Sequence, residues 1–313
     1  MRARAGNPHL GEDRLAAQDD KVTTAPQVIK APQAIKVPWR DRAGRFSGLK
    51  ATCFAALFLP GLWVLGQALT GTLGPRPVTE AIHELGLWTI RLLFLALAIT
   101  PLRQAWRWQG LIQIRRMVGV GAFCYVLAHV SGYVVDQGFD LVKVLSEIVS
   151  RIYLTIGILA VLALVPLAAT STDAMVRRIG GRNWRRLHQL IYGIAVLATI
   201  HFFMQSKLFV DEATVMGGLY LWLMGYRLLA RRGAVPVWRL ACLGVAAAAL
   251  TAFGEAAWFW LTRGVDLTRV LGANFSTVTG IRPAVYVLGI TAVVTLVALL
   301  RAAPLWAGQR ARA

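Results

Sequence analysis

The chain has 313 residues, 57% of them hydrophobic, with a mean hydropathy of +0.56 and a formal charge of +19. Several apolar runs have the length that crosses a bilayer, which excludes an ordinary soluble domain. The basic residues cluster between those runs and form no continuous stripe, which argues against nucleic acid as a partner.

Residues 1–46 are polar and rich in Pro, Ala and Gln, with a tandem repeat, APQVIK at 25–30 and APQAIK at 31–36. They read as a disordered basic cytoplasmic tail, not as a signal peptide, since no apolar core follows the start. Lys36, Trp39, Arg40, Arg42, Arg45 and Lys50 suit a membrane-surface anchor. Apolar spans follow at 49–70, 80–101, 117–135, 151–169, 187–206, 213–230, 237–261 and 283–303, which predicts eight helices and an all-α polytopic membrane protein. Three cysteines, Cys53, Cys124 and Cys242, fall inside these spans without CxxC spacing and are expected to be inert core residues. The connections at 102–116, 170–186 and 231–236 are rich in arginine, and the alternate ones are not. The positive-inside bias then puts both termini in the cytoplasm.

Ionisable residues inside spans are costly and are functional candidates by default. His129 lies 13 residues beyond Arg116 and His201 lies 15 beyond Arg186, so both sit about 20 Å from the cytoplasmic boundary. Two imidazoles at one depth suit the two axial positions of a haem iron, giving a centre that carries electrons. Gly121, Ala122 and Gly132 share the side of His129 and would let a flat macrocycle come close. His188 stands near the cytoplasmic boundary without a level partner, and His83 near the opposite one. An ideal helix separates His188 and His201 by about 140°, so a shared face needs a distortion, for which Gly193 is the candidate. Arg91, near mid-membrane, needs a partner, and a haem propionate or quinone oxygen would serve. Glu255 is expected near the outer boundary, reaching water. Asp136, Asp140, Glu147, Asp211 and Glu212 are expected to form a mildly acidic outer docking face.

From about Leu49 to Leu229 the sequence resembles the MsrQ family of the ferric reductase-like transmembrane superfamily. The stretches that carry the likeness are AIHELG (81–86), ITPLR (99–103), IRRMVG (114–119), LAHVSGY (127–133), SRIYLTIG (150–157), ATSTDAM (169–175) and NWRRLHQLIY (183–192), ending at His201. The resemblance implies a six-helix haem-binding bundle over 47–232 in a bacterial inner membrane, with b-type haem and flavin mononucleotide. It also implies electron delivery from membrane quinol to a separate periplasmic molybdopterin methionine sulfoxide reductase. His129, His188 and His201 fall on the family's histidine positions, His83 matches as well, and Arg91 stands where members carry lysine. Residues 233–313, with two further helices, and the long N-terminal tail depart from the pattern.

Two other functions are carried forward. One is a self-contained ferric or oxygen reductase, which requires an open axial position. The other is a non-redox transporter or scaffold, in which the histidines move protons or pack. No dinucleotide fingerprint follows a strand, and the GVG at 119–121 lies inside a span.

Overall fold

The computed structural model describes residues 37–40, 43–207, 209–276 and 280–310, with side chains as far as 302. The first 36 residues of the expected tail, with Lys36, and also Arg42 lie outside the described residues. The described residues of the tail make defined contacts. Ser47 N–H donates to Trp39 O at 2.9 Å, Lys50 Nζ donates to Arg40 O at 2.6 Å, and the Trp39 ring lies 5.9 Å from that of Phe54.

The first span is two helices, α1 (Gly48–Ala56) and α2 (Leu59–Thr70). Pro60 causes the break, because it has no N–H and its ring would clash with the carbonyl of Ala56. The opened turn is closed from another helix: the Tyr125 hydroxyl accepts from Gly61 N–H and donates to Leu57 O, both at 2.8 Å. Next comes α3 (Pro77–Ala105), with Pro101 inside its last turns. Pro101 leaves the Leu97 carbonyl without its helical donor. Arg227 Nη2 takes that carbonyl at 2.6 Å.

After a 3₁₀ turn at Gln109–Leu111, α4 (Ile112–Asp136) carries His129. It starts earlier than expected, so Arg115 and Arg116 lie on the helix and not in a loop. The expected loop at 136–150 contains a helix, α5 (Leu141–Ser150), which was not anticipated. Gly138 and Phe139 both have positive φ, 65° and 62°, and turn the chain back after α4; Asp140 then caps α5 by accepting from Lys143 N–H. Next are α6 (Ile152–Ala169), the short α7 (Asp173–Ile179) and α8 (Gly181–Leu187), and α9 (Leu190–Gln205) with His201. The interruption between α8 and α9 falls at His188 and Gln189, whereas α9 runs unbroken through Gly193, which is therefore not the point of distortion.

Seven helical stretches among the described residues are long and apolar enough to cross a membrane. The expected eighth, α10 (Asp211–Ala230), is 20 residues long but carries too many polar and small residues. Its surroundings explain the composition. It packs against α3, α9, α11 (Val237–Arg263) and α13 (Pro283–Arg310), burying Thr214, Gly218, Trp222 and Tyr226 among protein instead of lipid. Between α11 and α13 lies the short α12 (Leu267–Ala273). Small residues set the close approaches in this half. A Cβ on Gly244 would lie 2.7 Å from Thr291 Oγ1, and one on Gly218 would collide with Thr251 Oγ1. The cysteines correct the sequence reading: Cys53 is half-buried, and Cys124 and Cys242 are exposed on the outside of the bundle.

Candidate functional site

Helix α3 packs along α4, and α6 along α9. Each pair holds one histidine in the same way. His129 Nδ1 lies 2.7 Å from Ile82 O, and His201 Nδ1 lies 2.8 Å from Tyr153 O. A carbonyl only accepts, so each Nδ1 carries the hydrogen and each Nε2 keeps its lone pair, the tautomer a metal-ligating imidazole requires. Four residues beyond each carbonyl stands a glycine. A Cβ on Gly86 would lie 2.9 Å from His129 Cε1 and Nδ1, and one on Gly157 would lie 2.8 Å from His201 Nδ1. Ile82 and Gly86 therefore form on α3 the cradle that Tyr153 and Gly157 form on α6.

The two rings come together, with centroids 6.4 Å apart and planes at 84°. Two imidazoles on opposite sides of one metal, each nitrogen about 2.0 Å from it, have centroids about 6.3 Å apart. Neither Nε2 has a hydrogen-bond partner among the described residues. Among the described residues no cluster of three or more His, Cys, Asp or Glu is placed to hold a bare ion. The donor set fits a haem iron, whose other four ligands come from the macrocycle. The small residues expected beside His129 serve other contacts: Gly121 meets Leu57, in the break between α1 and α2, and Gly132 meets Ile82. Gly86, which does meet the ring, is on another helix, and spacing along α4 gave no signal for it.

The remaining candidates are not brought together. His188 caps α8, with its Nδ1 3.1 Å from Trp184 O and its ring stacked on Trp184 at 3.8 Å. His83 stands half-exposed at the other end of the bundle, 3.3 Å from Gln205 Nε2 and 3.9 Å from Glu80. His83 and His188 are far apart: about 30 Å of α3 separates His83 from Gln104, which lines a groove with Gln189. Arg91 has a protein partner: its Nε and Nη2 both meet Glu212 Oε1 at 2.8 Å and its guanidinium covers the Trp88 ring. The acidic docking face loses members accordingly. Glu212 is held by Arg91, Glu147 by Tyr133 and Arg151, and Asp140 caps α5. Glu255 does not reach water: it is 1% exposed and forms a buried ion pair with Arg282.

The ferric reductase-like transmembrane component family matches residues 85–200, a stretch that contains His129 and His188 and ends one residue before His201. The chain is 40% identical over 191 residues to the Rhodospirillum rubrum protein-methionine-sulfoxide reductase heme-binding subunit MsrQ, covering 61% of this chain and 89% of that one. This chain belongs to the MsrQ family. The MsrQ of Xanthomonas campestris pv. campestris is 41% identical over 191 residues, covering 60% of this chain and 87% of that protein. MsrQ of Xanthomonas axonopodis pv. citri is 41% identical over 180 residues, 56% and 82% of the two chains. No solved structure matches the chain.

Proposed function

We propose that this MsrQ-family chain is a haem b electron-transfer subunit of a bacterial inner membrane. It passes electrons from membrane quinol to a separate periplasmic molybdopterin methionine sulfoxide reductase. The observation that carries the reading is the pair of facing imidazoles, 6.4 Å apart, each with its Nδ1 bound to a neighbouring helix. With His129 and His201 as axial ligands, a b-type haem would supply a one-electron carrier with no open position for oxygen, which weighs against a self-contained oxygen reductase. The residues do the holding: Ile82 O and Tyr153 O fix both tautomers, and Gly86 and Gly157 leave room for the rings. The overall chemistry balances, because a quinol releases two electrons and two protons. Methionine sulfoxide takes up two of each to give methionine and water.

Arg103, Arg115, Arg116, Arg177, Arg178 and Arg231 lie toward one end of the spans, which supports a cytoplasmic position for that end and for both termini. At that end a groove of 740 Å³ opens between α3, α9 and α10, lined among others by Gln104, Gln189, Tyr192, Met224, Arg227 and Arg231. It falls within the size range of ligand pockets, about 300–1,000 Å³. Gln189 is the neighbour of His188, so the groove supports the His188 side as the place for a quinol ring, a flavin mononucleotide or a second haem. The test is the reduced spectrum of the purified protein, with a b-type haem signal expected in the wild type and lost in His129→Ala and in His201→Ala. A full haem complement in both variants sinks the assignment. Sealed proteoliposomes carrying the reductase on one face or the other test direction, and reoxidation only from the arginine-rich face overturns the topology.

A further inference from the structure

Helix α5 and the junction that follows it bring a chain of polar groups to the histidine site that the electron-carrying reading leaves unused. Tyr133 lies one turn beyond His129 on α4 and donates its hydroxyl hydrogen to Glu147 Oε2 at 2.5 Å. Arg151, the extended residue joining α5 to α6, donates Nη2–H to Glu147 Oε1 at 3.4 Å and Nη1–H to the Tyr153 hydroxyl at 3.3 Å. Tyr153 is the residue whose carbonyl holds His201, and its ring lies 6.3 Å from that imidazole. Thr155 Oγ1 donates to Ile148 O at 2.6 Å and fixes the last turn of α5 on α6. The side chains of Tyr133, Glu147, Arg151 and Tyr153 thus span from the helix of one imidazole to the cradle of the other.

We propose that Glu147 is a positioning residue for the haem, holding the His129 helix and the His201 cradle in register and placing a fixed negative charge on the Tyr133 side of the histidine pair. The proposal rests on the haem reading above. A negative charge near the iron favours the oxidised, more positive form, and the partners of that charge weaken its effect. The three side chains therefore act with opposite signs. Glu147→Gln removes the charge and favours reduction. Arg151→Gln and Tyr133→Phe leave the carboxylate less compensated and disfavour reduction. A purely structural link has no such pattern, since all three losses would loosen the site in one sense.

The experiment is a redox titration of full-length protein in lipid nanodiscs, followed by the haem spectrum and by haem content. At the ambient potential where the wild type is half reduced, the ratio of reduced to oxidised haem should rise several-fold in Glu147→Gln. It should fall several-fold in Arg151→Gln and fall less in Tyr133→Phe. If Glu147→Gln does not retain haem, Glu147→Asp replaces it and should stay near the wild-type ratio while the other two fall. Shifts of one sign in all variants, or no shift in Arg151→Gln and Tyr133→Phe at full haem content, overturn the proposal. Wild-type protein without haem would sink the haem reading itself.

Discussion

Adding one methyl group to either cradle glycine tests the site more sharply than deleting a histidine. In Gly157→Ala the new Cβ lies 2.8 Å from His201 Nδ1, and in Gly86→Ala it lies 2.9 Å from His129 Cε1 and Nδ1. Ordinary contact begins at about 3.5 Å, so each ring must retreat by about 0.6 Å. The bonds from Nδ1 to Tyr153 O and Ile82 O, now 2.8 and 2.7 Å, have little room to stretch before they weaken. A lost hydrogen bond costs about 1 kcal/mol and overpacking about 1–3 kcal/mol. The sum, about 2–4 kcal/mol, lowers haem affinity roughly 30- to 800-fold. Alanine is the better helix former by about 1 kcal/mol, which offsets part of the cost to the apoprotein. The assay is Soret titration of apoprotein with haem, together with the thermal midpoint without haem. Gly193→Ala is the control, because nothing lies within 4 Å of its Cβ and it shares α9 with His201. Wild-type affinity in both Gly86→Ala and Gly157→Ala would refute the cradle.

Two further outcomes concern the C-terminal helices. Glu255→Ala should destabilise the protein by about 3–5 kcal/mol, because Arg282 is left buried and unpaired, whereas the double change Glu255→Leu with Arg282→Leu should recover most of the loss; thermal unfolding in detergent measures both, and a double variant no better than the single one removes the ion-pair explanation. A chain ending at Arg232 should keep its haem-to-protein ratio, since the cradles lie on α3, α4, α6 and α9, but should melt lower as α10 loses the cover over Trp222, Leu223 and Tyr226. Haem loss from an inserted truncated chain would tie those helices to the cofactor.

Periodicity, span length and histidine depth were enough to anticipate the bundle and the meeting of His129 with His201, because depth in a bilayer follows directly from position along a helix. Contacts between helices are not legible in that way. Gly86 and Gly157 are single glycines in apolar runs, and only the neighbouring helix shows what each makes room for. Arg91 and Glu212, 121 positions apart, carried no sequence signal as a pair. The same holds for Glu255 and Arg282, so Glu255 was wrongly expected to reach water. α5 was missed because a ten-residue amphipathic helix lies below the length at which a span is recognised, and α10 was taken as an ordinary span because its length concealed its polar, protein-facing composition.

The interruption at His188 bears on how electrons reach the histidine pair. Residues 188 and 201 are 13 apart, about 20 Å along a helix axis. An electron entering at the arginine-rich end must cross that distance before it arrives between His129 and His201. A single transfer over so long a gap is slow, so the reading needs an acceptor at the level of His188. The structure offers two features there: the His188 imidazole, stacked on Trp184 and bonded through Nδ1 to its carbonyl, and the groove next to Gln189. At the other end His129 lies seven residues, about 10 Å, from the α4 terminus at Asp136, so the gap to the opposite surface is about half as long. The asymmetry argues that an inner cofactor is required for entry and none for exit. On the proposed function, a soluble acceptor approaching beside α5 would take its electron directly from a haem held by His129 and His201.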